Sequence, residues 1–130
     1  MKKLLILLFS ILISFNSFGE WLLLGEDSGS KFYYEVDTIQ TSSGYIYYWD
    51  LVSFSEPFAG KYISATRYKQ GDCGVFRDKI LTGFVFTEPM GRGEKENVLY
   101  DNPDWQYYLP NTTGYKNFTM LCSLAEIENQ

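Results

Sequence analysis

Residues 45–54, YIYYWDLVSF, are apolar or aromatic on both faces of an extended chain, with Asp50 the one intruder. Successive side chains of a strand point to opposite sides, so this stretch reads as a central strand covered on both faces. Working outward, Trp21–Leu24, Phe32–Val36, Tyr62–Lys69 and Phe76–Thr87 are similarly rich in aromatic and β-branched residues. Turn chemistry separates them: Asp27-Ser28-Gly29-Ser30, Thr41-Ser42-Ser43-Gly44, Glu56-Pro57 with Gly60, and Gly71-Asp72. No helix-length segment intervenes, which predicts antiparallel connections rather than crossovers. Alternation puts Lys61, Arg67 and Lys69 on one face of their strand and Tyr62, Ser64, Thr66 and Tyr68 on the other. In the next strand Phe76, Ile80, Phe84 and Phe86 are expected opposite Arg77 and Lys79.

The pattern fails from Glu88 to Asp104, where Pro89, Gly91, Gly93 and the run Glu94-Lys95-Glu96-Asn97 predict a long loop. A short strand is expected within it at Val98–Tyr100, and Trp105–Leu109 reads as a further strand closed by Pro110. Tyr115, Phe118, Leu121, Cys122 and Ala125 then recur at helical spacing, with Asn111 or Thr112 as N-cap. Gly114 is a poor residue for such a start. The predicted fold class is α+β, mainly β: an antiparallel sheet of about six strands with one C-terminal helix packed on it.

Ahead of this domain, Lys2 and Lys3 precede an apolar run from Leu4 to Phe15, and Ser17 and Gly19 sit at −3 and −1 of a cut before Glu20. Residues 1–19 therefore read as a signal peptide and 20–130 as one domain. The run falls short of the roughly 20 residues of a spanning helix, and no cysteine stands at the cut to be lipidated. No stable membrane insertion is expected after cleavage. The destination is the periplasm or the outer surface of a Gram-negative-type cell.

Composition narrows the function. The 130 residues carry a net charge of −5 and no histidine, and loss of Lys2 and Lys3 takes the charge to −7. Such an acidic chain is a poor binder of nucleic acid. Without histidine it lacks the usual general base and the commonest metal ligand. No cofactor and no metal are expected. Export places Cys73 and Cys122 in an oxidising compartment, and neither belongs to a C-x-x-C pair, so a structural disulfide is predicted.

Other candidates are weaker in chemistry. Glu35 and Asp37 would share a strand face, and Asp101 and Asp104 flank a turn, but solvated charge accounts for each pair. The acidic turn lacks the ligand number and glycine of a calcium loop. Tyr33, Tyr34, Tyr45, Tyr47, Tyr48, Trp49, Trp105, Tyr107 and Tyr108 serve a small core first, with some left over for contact surfaces. Lys61, Arg67, Lys69, Arg77 and Lys79, on adjacent strands, are expected to gather as a basic patch open to an acidic protein partner.

One order of residues is more specific. It begins with Trp21, then Phe32-Tyr33-Tyr34 before Val36-Asp37, then Trp49-Asp50. Tyr62, Ser64, Tyr68 and Asp72-Cys73 follow, then Pro89-Met90-Gly91-x-Gly93, Trp105, Pro110 and the helix reaching Leu121-Cys122. This order resembles the surface-adhesin protein E-like family of small exported bacterial domains. The resemblance implies an antiparallel sheet with a C-terminal helix held by one disulfide, and a non-enzymatic module that binds extracellular proteins. The alternative is a periplasmic structural or accessory protein with no host-binding role. A homo-oligomer is compatible with either. Intact-mass measurement of the exported protein should show a chain beginning at Glu20; a retained Met1 or a later cut would refute the signal-peptide boundary.

Overall fold

A computed structural model describes residues 21–128, and the signal-peptide expectation lies outside them. The strands are β1 (Leu22–Asp27), β2 (Ser30–Tyr34), β3 (Gln40–Ser42), β4 (Tyr45–Phe58), β5 (Tyr62–Asp72), β6 (Arg77–Glu88), β7 (Arg92–Val98) and β8 (Gln106–Tyr107). They form one sheet in the order β1-β2-β4-β5-β6-β7, with β3 on β4 and β8 on β6. Every pairing is antiparallel. The helix α1 (Thr113–Glu128) follows, so the fold class read from the sequence is the observed one.

The turn chemistry explains the hairpins. Ser28-Gly29 and Ser43-Gly44 link β1–β2 and β3–β4, and Ala59-Gly60 open the three-residue β4–β5 connection, each pair with both φ angles positive. Two-residue turns of this hand match the twist of the flanking strands, and glycine takes the second position without a Cβ clash. β4 is central because it is long. One edge carries β2 against Asp50–Ser53 and β3 against Tyr45–Tyr47, while the other pairs with β5.

The Thr112 hydroxyl accepts the Tyr115 N–H at 3.1 Å, so Thr112 is the N-cap of α1. Phe118, Leu121 and Ala125 are buried against Tyr34, Ile39, Ile46 and Tyr48. Close approach depends on two glycines. A Cβ on Gly71 would lie 2.9 Å from Ile46 and 3.1 Å from Phe118, and one on Gly114 would lie 2.9 Å from the Tyr108 ring. The poor helix former at Gly114 is thus explained by packing. The disulfide Cys73–Cys122, with Cα atoms 6.0 Å apart, pins α1 to the β5–β6 loop.

Three expectations from the sequence need correction. The mixed-charge segment at 92–98 is not loop but the edge strand β7, paired with β6 from Gly83–Val98 to Glu88–Arg92. All but Val98 are exposed, so no alternation of apolar residues marks the strand, and its charges protect an open sheet edge. Second, Lys69 pairs with Ile80 while Tyr68 pairs with Thr82, leaving Leu81 as a bulge. The extra residue reverses the alternation, so Ile80 faces α1 while Phe84 and Phe86 share the opposite face with Arg77 and Lys79. The strand expected at Trp105–Leu109 shortens to Gln106–Tyr107.

Cys73 and Cys122 are 49 residues apart, so replacing Cys122 by Ser should lower unfolding free energy by up to about 4 kcal/mol. Denaturant titration measures this, and an unchanged midpoint would contradict a stabilising role for the cross-link.

Candidate functional site

The sheet has a face that carries α1 and a face over which no helix lies among the described residues, and the candidate cations divide between them. Asp50 projects from the middle of β4 toward the α1 face and is fully buried. Directly across on β5, Arg67 donates to it through Nε at 2.9 Å and Nη2 at 2.8 Å. The Lys69 ammonium lies 3.0 Å from the same carboxylate and 3.5 Å from Asp78 on β6. Asp78 in turn accepts the Tyr48 hydroxyl at 2.8 Å and the Tyr108 hydroxyl. Two acids and two bases thus form a compact neutral cluster, and among the described residues no buried side-chain nitrogen or oxygen lacks a partner.

Burial alone would raise the Asp50 carboxyl, but Lys69 and Arg67 outweigh it and hold the group below its ordinary value. Burial raises the Tyr48 and Tyr108 hydroxyls, reinforced by the charge of Asp78. Both therefore stay protonated and donate to Asp78.

This arrangement corrects the expected basic patch. Arg67 and Lys69 are not exposed beside Arg77 and Lys79, because register prevents it. Asp72 pairs with Arg77 and Gln70 with Lys79, so the second pair of cations shares a face with even-numbered residues of β5, opposite Arg67 and Lys69. Lys69 is 4% exposed. Lys61 lies apart, exposed at the β4–β5 hairpin with its ammonium 5.4 Å from the Tyr62 ring.

Arg77 and Lys79 occupy the helix-free face. Their cationic groups lie 4.0 and 4.6 Å from the centre of the Trp105 ring, whose other neighbour is Tyr45 at 5.7 Å. Arg77 also donates to Asp72 at 3.0 Å and to the Tyr107 hydroxyl at 3.2 Å. Trp49 and Tyr68 pair across β4 and β5 with rings 5.1 Å apart, and Tyr47 stacks on Tyr68 at 6.4 Å. Tyr45, Tyr47, Trp49, Tyr68 and Trp105 are each half-buried, and Tyr107 is exposed. The turn Pro89–Gly91 folds over the far end of the same face, where the Gly91 N–H donates to the Ser64 hydroxyl at 3.0 Å and Leu51 is fully buried.

The remaining candidates stay apart from both groups. Glu35 lies just past the end of β2, capping the 3-10 turn Val36–Thr38 that holds Asp37, so they do not share a strand face. Partial burial, then Asp37, raises the Glu35 carboxyl. Asp101 and Asp104 are exposed in the loop before β8. Among the described residues no group of three His, Cys, Asp or Glu side chains could hold a metal, and no helix is long and apolar enough to cross a membrane. The Asp50 cluster was signalled in the sequence by an acid inside an apolar strand, but its partners required the register.

Comparison with known proteins agrees with this architecture. The family model for surface-adhesin protein E matches residues 21–123. A crystal structure of Haemophilus influenzae protein E (crystal form II) superposes with a TM-score of 0.64 at 14% identity, covering 79% of this chain and 94% of that one. Protein E from non-typeable Haemophilus influenzae gives 0.63 at 14% identity, covering 84% and 87%. At such identity these two structures establish likeness of fold alone. No curated protein matches by sequence.

Replacing Asp50 by Asn should cost about 3–5 kcal/mol, since it strips a buried charge from two cations. A carboxyl lowered by folding stabilises above the ordinary carboxylate range, and that contribution is lost as pH falls below about 4. Denaturant unfolding followed against pH should therefore show a shallower acid slope in the Asn variant. Identical slopes and midpoints would show that the cluster contributes nothing.

Proposed function

This chain belongs to the surface-adhesin protein E family, and we propose that it is an exported, non-enzymatic binding module that engages an extracellular protein through the helix-free face of its sheet. One observation carries the reading. Tyr45, Tyr47, Trp49, Tyr68 and Trp105 are only half-buried there, next to Arg77 and Lys79, with no helix of the described chain laid over them. Aromatic residues and arginine are the side chains most often found at the energetic centre of protein interfaces. The two cations lie on a chain of net charge −5, so an acidic segment is the complementary partner. Cleavage of residues 1–19 and delivery to the outer surface belong to the same proposal.

Two measurements test it. Protease added to intact cells should remove the protein; full protection would support a periplasmic accessory role instead. Binding of the purified protein to immobilised host extracellular proteins should weaken several-fold between about 0.05 and about 0.5 M salt. Replacing both Arg77 and Lys79 by Ser should weaken it similarly and leave the melting temperature within a few degrees, since both side chains are partly solvated. Replacing Arg67 and Lys69 instead should unfold the protein by orphaning Asp50. Binding indifferent to salt and to the Arg77/Lys79 pair would remove this face from the reading.

A further inference from the structure

The outer strands of the sheet differ in how their open edges are protected. β1 is broken by a bulge between Leu23 and Gly25 and ends in Glu26 and Asp27, while β7 carries Arg92, Glu94, Lys95 and Glu96. Bulges and charges of this kind keep foreign strands from adding to an edge. β8 has neither device. The stretch Trp105-Gln106-Tyr107-Tyr108-Leu109 holds no charge, and Tyr107 and Leu109 are 63% and 68% exposed. The Tyr108 N–H donates to the Phe76 carbonyl at 2.9 Å, and the register pairs Gln106 with Asp78 and Tyr107 with Arg77. Backbone groups alternate along a strand, so those of Gln106 and Tyr108 point to β6 and those of Tyr107 point away from it. Since β8 pairs with β6 alone, the Tyr107 N–H and C=O meet no strand among the described residues.

This edge is complementary to itself. A two-fold axis through Tyr107, perpendicular to the sheet, opposes Tyr107 to the same residue of a second copy and Trp105 to its Leu109. Each Tyr107 N–H then donates to the other copy's Tyr107 carbonyl, and the apolar side chains meet on the helix-free face. The same operation on β7 fails, because an axis at Glu94, Lys95 or Glu96 sets like charges face to face. Charge agrees beyond the strand as well. Continuing the register brings the loop holding Asp101 and Asp104 to the second copy's Asn111–Thr113, where α1 begins and Lys116 is exposed. Carboxylates are favoured at a helix N-terminus, and a cleft of about 580 Å³ lined by Pro110, Thr112, Lys116 and Met120 leaves room for that loop. We propose that two copies of this chain pair antiparallel through β8, extending the sheet across a two-fold axis at Tyr107. The pairing sets two helix-free faces side by side and stands whether or not either binds an extracellular protein. The paired strands are short, so a weak dimer is expected, forming at about 10–500 µM.

The test uses the oxidised exported protein. Sedimentation between about 5 µM and about 1 mM should show a reversible monomer–dimer equilibrium, and hydrogen exchange at the Tyr107 amide should slow at the upper end. Tyr107→Lys and Tyr107→Glu each oppose like charges at the axis, so each variant alone should remain monomeric at about 1 mM. The Tyr107 side chain is mostly solvated, so both should keep the circular dichroism of the native chain. Mixed in equal amounts the two should pair again, because only a residue that meets its own copy allows one to rescue the other. A native protein that stays monomeric at about 1 mM would overturn the proposal. So would a variant that dimerises like the native chain, or a mixture that fails to associate. The exchange measurement needs no variant: a Tyr107 amide whose exchange is independent of concentration overturns the pairing even if both substitutions fail to fold.

Discussion

A single carboxylate in the central strand meets two cations from its neighbour, and much of the α1 face is organised by that contact. Asp50 is fully buried, and a lone charge there would be prohibitively costly. Arg67 directly opposite and Lys69 beside it supply the compensation, while Lys69 links the pair to Asp78 and its two tyrosines. The cluster therefore stitches β4, β5 and β6 at one height. It also fixes register: a slip of one residue would turn Arg67 and Lys69 away from Asp50 and leave all three charges unpaired.

Around this cluster the two faces take different roles. On one, α1 covers Tyr34, Ile46 and Tyr48, held by the Cys73–Cys122 bridge and by the space over Gly71 and Gly114. On the other, the 3-10 turn at Pro89–Gly91 shields Leu51 and Phe86 at one end only, and the tyrosines and tryptophans between it and Trp105 pack against one another. A small domain with one helix cannot bury both sheet faces. The aromatic residues of the helix-free face therefore stay half-exposed.

The family relation and the fold were legible in the residues because both rest on local chemistry. The two-residue turns were visible as Ser28-Gly29 and Ser43-Gly44, the helix as the spacing from Tyr115 to Ala125, and the disulfide as the one cysteine pair of the sequence. β7 was not visible, since an edge strand with charges on both faces has no period-two signal. The bulge at Leu81 was equally hidden. Nothing in Lys79-Ile80-Leu81-Thr82 reveals that one residue will be skipped by the partner strand.

The sequence by itself determined which segments extend, where they turn, which segment coils, and that Asp50 would be an acid in need of partners. Those properties depend on backbone preference, side-chain alternation and the cost of burying charge, all set by neighbours in the chain. Which cations would meet Asp50 was decided only in three dimensions. Four of the five lysines and arginines lay on β5 and β6 and the fifth in the β4–β5 turn, and strand register sent Arg67 and Lys69 inward, Arg77 and Lys79 to Trp105, and left Lys61 at the hairpin. A charged side chain carries no local mark of its partner. Its role follows from the face it is given, and the face follows from pairing across the sheet.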